Sequence, residues 1–211
     1  MPYRQTERTE QRRAARRAQI VAAARKLFTL QGYEATTMQQ VVTEAGTSIG
    51  NCYFYFRNKD ELLAAVVDEF NAEIGRAIDA AFEATPAGLG QLAVAVYVGL
   101  VTVLNQADFA RQILLETANP ALRTRILAFF ADRMRRFFTA HPTLLGQANP
   151  NWAALAWTGA AFNLLEKKLA GEISGEPADL GRFLARWNLQ ALGLPEPAVR
   201  QALAAIEQIN H

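Results

Sequence analysis

The chain has 211 residues, 51% of them hydrophobic and 20% charged, and a net charge of +2; that balance belongs to a folded protein with a substantial core and excludes a disordered or fibrous chain. No run nears the ~20 uninterrupted apolar residues a membrane-spanning helix needs, the N-terminus lacks the apolar centre of a secretory signal, and the single cysteine, Cys52, excludes an internal disulfide and a cysteine-clustered zinc site. A cytoplasmic protein with no membrane partner is expected. The small net charge hides an asymmetry, because residues 1–59 carry ten Arg and Lys against four acids, a balance of +6 that leaves −4 for the remainder. A basic first quarter on a mildly acidic body points to a polyanion held at one end.

In chain order, residues 1–15 are rich in arginine and show no apolar stripe, which reads as a basic, flexible tail. Ile20, Ala23, Ala24, Leu27 and Phe28 then recur at helical spacing, and Gly32 is placed to end that helix. Thr37-Met38-Gln39-Gln40 has the capping-box pattern and opens a short helix with Met38, Val41, Val42 and Ala45 as its stripe, closed by Gly46. Thr47-Ser48 offers the next cap, before a third segment running through Ile49 to Phe56. Two short helices thus flank a glycine-containing turn. Asn58 caps a fourth helix whose first turn holds Asp60 and Glu61, suited to the helix dipole. Its stripe of Leu62, Val66, Phe70, Ile74, Ala77 and Ala81 runs toward Pro86.

Beyond Pro86 the periodicity stays helical, without the alternation that marks strands. One helix carries Leu89, Leu92, Val96, Leu100 and Val103, and a shorter one runs through Phe109 to Glu116. Asn119-Pro120 caps another, with Leu122, Ile126, Phe129, Phe130 and Phe138, ending before His141-Pro142. The segment Asn151–Ile173 is apolar on nearly every side from Trp152 to Leu165, so one core cannot cover it, and a second subunit is expected against it. Glu176-Pro177 starts a helix with Leu180, Phe183, Leu184, Trp187 and Ala191 on its apolar side, stopped by Gly193-Leu194-Pro195. Val199, Leu203, Ile206 and Ile209 mark the last helix.

The motif Ile20-x-x-Ala23-Ala24-x-x-Leu27-Phe28, Gly32-Tyr33, Thr36-Thr37, Ala45-Gly46, Ser48-x-Gly50-x-x-Tyr53-x-x-Phe56-x-x-Lys59-x-x-Leu62 resembles the DNA-binding domain of the TetR family. The resemblance covers the first third of the chain. It implies an all-α fold with an N-terminal three-helix helix-turn-helix domain (16–61) after the tail (1–15), and a C-terminal helical ligand-binding and dimerisation domain (62–211). It implies a transcriptional regulator, a repressor that holds a palindromic operator in double-stranded DNA as a homodimer and lets go when a small-molecule effector shifts the fourth helix. A two-fold dimer sets its recognition helices about 34–36 Å apart, one DNA turn.

Within such a domain the N-terminal residues of the second helix reach base edges. Thr47, Ile49 and Asn51 are the expected base readers, Asn51 suited to adenine and the methyls of Thr47 and Ile49 to thymine, while Gly50 permits close approach. The resemblance assigns phosphate contacts to Thr37, Ser48, Tyr53, Tyr55 and Lys59, with Arg17 added. Tyr55 departs from the His common there, yet a phenol still donates to phosphate. The basic tail would follow the DNA backbone, enter the minor groove, or simply solubilise the chain.

The resemblance supplies no effector, and dimerisation is expected through about Asn151–Gly193. Aromatic candidates for an apolar pocket are Phe109, Phe129, Phe130, Trp152, Trp157 and Phe162. Polar residues set among apolar neighbours are more telling, since burial must pair them. Asn105, Gln112, Glu116, Arg133, Asn163 and Glu166 qualify, Asn163 and Glu166 first. Cys52 fits a small buried packing residue. His141 and His211 lack the partners of a metal site, and neither metal nor cofactor is expected. A small helical enzyme using Glu116, Arg133 or Glu166 is the alternative, but it has no nucleophile motif or phosphate loop and leaves the helix-turn-helix unexplained. A ligand-independent DNA binder or an activator with the same head is a second alternative.

Overall fold

The computed structural model describes residues 3–117, 119–145 and 148–209; His211 lies outside them. Over the described residues the chain forms ten α-helices and no strand, the all-α architecture expected. It divides into two compact units, one of Met1–Phe70 with Glu116–Ala118, the other of Asn71–Leu115 and Asn119–His211. The division falls inside α4 (Lys59–Glu83) at 70/71 and not at 61/62. Leu62, Leu63, Val66, Val67 and Phe70 on the early turns of α4 are all buried, so those turns belong to the first core.

The first unit contains α1 (Tyr3–Gln31), α2 (Met38–Glu44) and α3 (Ile49–Tyr55) with the start of α4. Ile20, Val21, Ala24 and Phe28 of α1, Val41 and Val42 of α2, and Cys52 and Phe56 are buried. Each large side chain among them contributes about 1.5–3 kcal/mol by leaving water. Phe28 meets Tyr33 edge to face at 5.4 Å. Gly32 ends α1 with φ 83°, a left-handed conformation that suits glycine.

The expected flexible tail is instead the N-terminal half of α1. No glycine or proline interrupts Tyr3–Gln31, and its Arg, Gln, Glu and Ala are strong helix formers. A helix nucleated by the packed stripe from Ile20 to Phe28 therefore propagates backward through residues with no stripe of their own.

The second unit holds the rest of α4, α5 (Leu89–Leu104), α6 (Ala107–Arg111) running into a π-helical turn (Gln112–Glu116), α7 (Pro120–Ala140), a 3-10 turn (Pro142–Leu144), α8 (Pro150–Leu169), α9 (Pro177–Ala191) and α10 (Glu196–Ile209). The apolar α5 packs against α9 and α10, and α7 packs along α8. Asn119 and Asn149 cap α7 and α8 through their side chains, each followed by proline in the first turn. Helix α8 stops at Leu169, short of the expected Ile173, because Gly171 turns left-handed at φ 77° and Arg111 donates to the Leu169 carbonyl.

Helix α9 buries Gly181, Leu184, Ala185, Asn188 and Leu189. Its phase is set by Gly181, where an added Cβ would lie 2.8 Å from the Tyr97 ring, so the two helices approach most closely there. Phe183 and Trp187, expected on the apolar side of this helix, are consequently 58% and 49% exposed in the single chain. No single helix among the described residues is long and apolar enough to cross a membrane.

Candidate nucleic-acid interface

The turn between α2 and α3 is built from local chemistry. Thr37 Oγ1 accepts from the Gln40 amide at 3.2 Å while Gln40 Oε1 accepts from the Thr37 amide at 2.8 Å, a reciprocal capping box. At the other end Gly46 adopts φ 57°. Its amide donates to Thr43 O at 3.2 Å and the Thr47 amide to Val42 O at 3.1 Å, the pairing of a Schellman stop. Ser48 Oγ then accepts from the Asn51 amide at 3.2 Å and starts α3. Each side-chain cap contributes about 1 kcal/mol. Lys26 pairs with Glu44 at 2.7 Å, tying α1 to α2.

With those ends satisfied, α3 buries only Cys52 and leaves Ser48, Ile49, Gly50, Asn51 and Tyr53 exposed. Thr47 is half-buried, and its hydroxyl accepts from Asn51 Nδ2 at 3.4 Å. A Cβ built on Gly50 would meet nothing within 4 Å, so its surface is open backbone. Tyr55 is half-buried and meets Phe54 edge to face at 5.0 Å. Phe54, outside the expected contact set, is 69% exposed on the same helix. Arg17 lies over the Phe56 ring at 5.1 Å, which fixes its stem beside α3.

Lys59 is engaged within the head itself. Its Nζ donates to Tyr33 O at 2.8 Å and Glu34 O at 3.2 Å and sits 4.2 Å from the centre of the Tyr33 ring. It is first a clamp on the turn after α1, with one ammonium N–H left for a phosphate. Burial pushes the Cys52 thiol pKa up, as befits a packing residue.

The residues expected to bind a ligand scatter. Phe109 and Phe162 are buried, Gln112 and Phe130 half-buried, and Glu166 is half-buried in an ion pair with Arg123 at 2.8 Å. Trp152 and Asn163 stand on the surface, Trp152 being 72% exposed. The buried stripe of α8 is Ala154, Trp157, Thr158, Phe162, Leu165 and Leu169, and residues 152 and 163 fall off that face. A cavity of about 510 Å³ in the second unit is lined instead by residues of α4, α5 and α10, among them Ala81, Tyr97, Val101 and Ile209. Trp157 Nε1, Thr158 Oγ1 and Asn188 Nδ2 are buried without a hydrogen-bond partner among the described residues. Trp157 packs edge to face on Phe138 at 5.5 Å. No cluster of three or more His, Cys, Asp or Glu suited to a metal occurs among the described residues.

Two short helices joined by a glycine turn, the second capped and exposed at its N-terminus, define a helix-turn-helix of the kind that enters the DNA major groove. Residues 20–66 match the family model of bacterial regulatory proteins, tetR family, and this N-terminal head belongs to that family. Over 68 residues the chain is 46% identical to the HTH-type transcriptional regulator HbdR of Aromatoleum sp. (strain CIB), a match that covers 30% of this chain and 30% of HbdR. The fold extends further. RolR in complex with resorcinol superimposes with a TM-score of 0.67 at 18% identity, over 92% of this chain and 95% of RolR. A SmeT–triclosan complex gives 0.66 at 19% identity, over 86% and 96%.

Proposed function

We propose that the chain is a DNA-binding transcriptional regulator that acts as a homodimer, represses from a roughly palindromic operator, and releases it when a small molecule enters the second unit. The observation that carries this reading is the exposed N-terminal edge of α3, capped by Ser48 and bare at Gly50. Thr47, Ile49 and Asn51 read bases there. Thr37, Ser48, Tyr53, Tyr55 and Arg17 hold phosphates, and Lys59 adds its remaining N–H. Working on DNA, the protein belongs in the cytoplasm.

Dimerisation is supported by four large apolar side chains on neighbouring helices, Trp152 (72% exposed) and Leu155 (62%) on α8, Phe183 (58%) and Trp187 (49%) on α9. One chain leaves them in water, whereas a two-fold partner presenting the same face would bury them. Effector binding is supported by the unpaired buried groups of Trp157, Thr158 and Asn188, which a polar ligand would satisfy, and by the bound ligands of RolR and SmeT. Phe162, on the buried face of α8 with Trp157, fits the apolar wall of such a site. The enzymatic alternative has less support, since Arg133 is paired with Asp79 and Glu166 with Arg123.

The test is an anisotropy titration of the protein onto DNA from upstream of its own gene, repeated with small phenols such as resorcinol and triclosan. Tight binding that one of these weakens supports a ligand-released repressor. Tight binding that a broad panel of small molecules never weakens removes the effector step and leaves a constitutive DNA binder.

A further inference from the structure

The helix that replaces the expected tail carries basic side chains to the recognition helix. Arg8, Arg12 and Arg16 succeed one another at i,i+4 on one side of α1, about 6 Å apart along its axis. Arg12, Arg13 and Arg16 line a cleft of about 520 Å³ that Asn51 and Tyr55 of α3 also line. None of the three guanidinium groups is paired with a carboxylate among the described residues. Arg16 donates to Gln19 Oε1 at 3.1 Å and accepts no ionic partner.

A solvated charged face is the ordinary explanation for surface arginines, but it does not account for this arrangement. Like charges at i,i+4 oppose helix formation, and this half of α1 buries nothing that would offset them, Arg8 to Ala15 being exposed throughout. Converging on one cleft, they focus positive potential beside the surface that meets DNA. The polar groups around the cleft are guanidiniums, a phenol, a hydroxyl and amides, with no acidic side chain. That set suits phosphate oxygens, which Arg engages in forked, sequence-independent contacts.

We propose that the N-terminal half of α1 is a second DNA-contacting element: Arg12, Arg13 and Arg16, with Tyr55, grip the sugar-phosphate backbone of the duplex whose major groove receives α3, beside the base-reading Asn51. Arg8 extends the grip by one helical turn. This deepens the proposed DNA binding and rests on it. The contact supplies affinity and footprint length, while base choice stays with the N-terminus of α3.

The test uses the full-length protein and two duplexes, the preferred operator and a scrambled one, titrated over a range of salt concentrations. In R12Q/R13Q/R16Q the slope of log K against log salt becomes shallower by about 2 to 3 per subunit, about 5 for the dimer, since each lost phosphate contact removes about 0.9. Affinity at low salt falls on the order of tenfold or more for both duplexes, with helicity and preferred sequence unchanged. The Lys triple variant keeps the slope, which separates charge from any effect on folding. N51A, by contrast, loses discrimination between the duplexes with little change in slope. An unchanged slope in a helical Gln variant, with normal wild-type binding, overturns this inference alone. Failure of the wild type to bind any duplex overturns the DNA reading and this one with it.

Discussion

The phenol of Tyr33 donates to Asp60 Oδ1 at 2.6 Å, fastening the turn after α1 to the first turn of α4. Lys59 closes the same clamp over the ring and onto the Tyr33 and Glu34 carbonyls. Burial first, then the hydrogen bond and charge of Asp60, push the Tyr33 pKa well above its ordinary value. The head thus holds the neutral phenol, and the helix-turn-helix is anchored to α4 by side chains 27 residues apart in sequence.

Tyr33→Phe tests that clamp. Asp60 is exposed and rehydrates, so the loss is about 1 kcal/mol in urea denaturation. The pH dependence has a definite sign. A phenol whose folded pKa is raised contributes stability in full below the unfolded value of about 10, and that contribution is lost as pH rises from there toward the folded value. The wild type should lose stability in that range more steeply than Tyr33→Phe, and parallel pH profiles would remove the clamp from the account.

Gly50→Ala separates folding from recognition. Nothing lies within 4 Å of the new Cβ, and alanine is the better helix former by about 1 kcal/mol. The variant should be as stable as the wild type or more so, yet bind operator more weakly by about 1 kcal/mol or more because a methyl group intrudes on the groove. Full operator affinity would mean that the backbone of α3 does not approach the bases.

The contrast between what the sequence betrayed and what it concealed follows the range of the interactions. The Thr37–Gln40 box, the Gly46 stop and the Asn119-Pro120 start are contacts within a few residues, and all were legible. The helical N-terminus is not legible because backward extension of α1 leaves no apolar signature, and the cleft it forms with Asn51 and Tyr55 is a tertiary meeting. Helix α8 is apolar around most of its circumference, so the pattern gave no phase and could not tell buried Phe162 from exposed Trp152. The phase of α9 depends on the Tyr97 ring at Gly181, a partner no local pattern names. Lys59 conformed to a motif, but its grip on carbonyls 25 and 26 residues away did not show in it.

Phe183 and Trp187 test the dimer. F183E/W187E removes apolar area that only a partner would cover, so light scattering should report a dimer for the wild type and a monomer for the variant, with unchanged helicity. Operator affinity should fall with it, because a monomer holds one half-site. A variant that remains dimeric would place the subunit interface elsewhere.

Cys52 is fully buried with its thiol pKa raised, both of which suppress the thiolate. An alkylating reagent should leave the folded protein unmodified and label it only in denaturant. Cys52→Ser puts a hydroxyl in an apolar site and should cost about 1–3 kcal/mol. Rapid alkylation of the native protein would contradict a packing role.

Selection of bound duplexes from a random library by the purified protein, at moderate salt so that nonspecific phosphate contacts are suppressed, shows whether a two-fold dimer binds DNA sequence-specifically. The expected result is an enriched consensus of two inverted half-sites whose centres lie about one helical turn apart. No enrichment by protein shown to be folded and dimeric would contradict it.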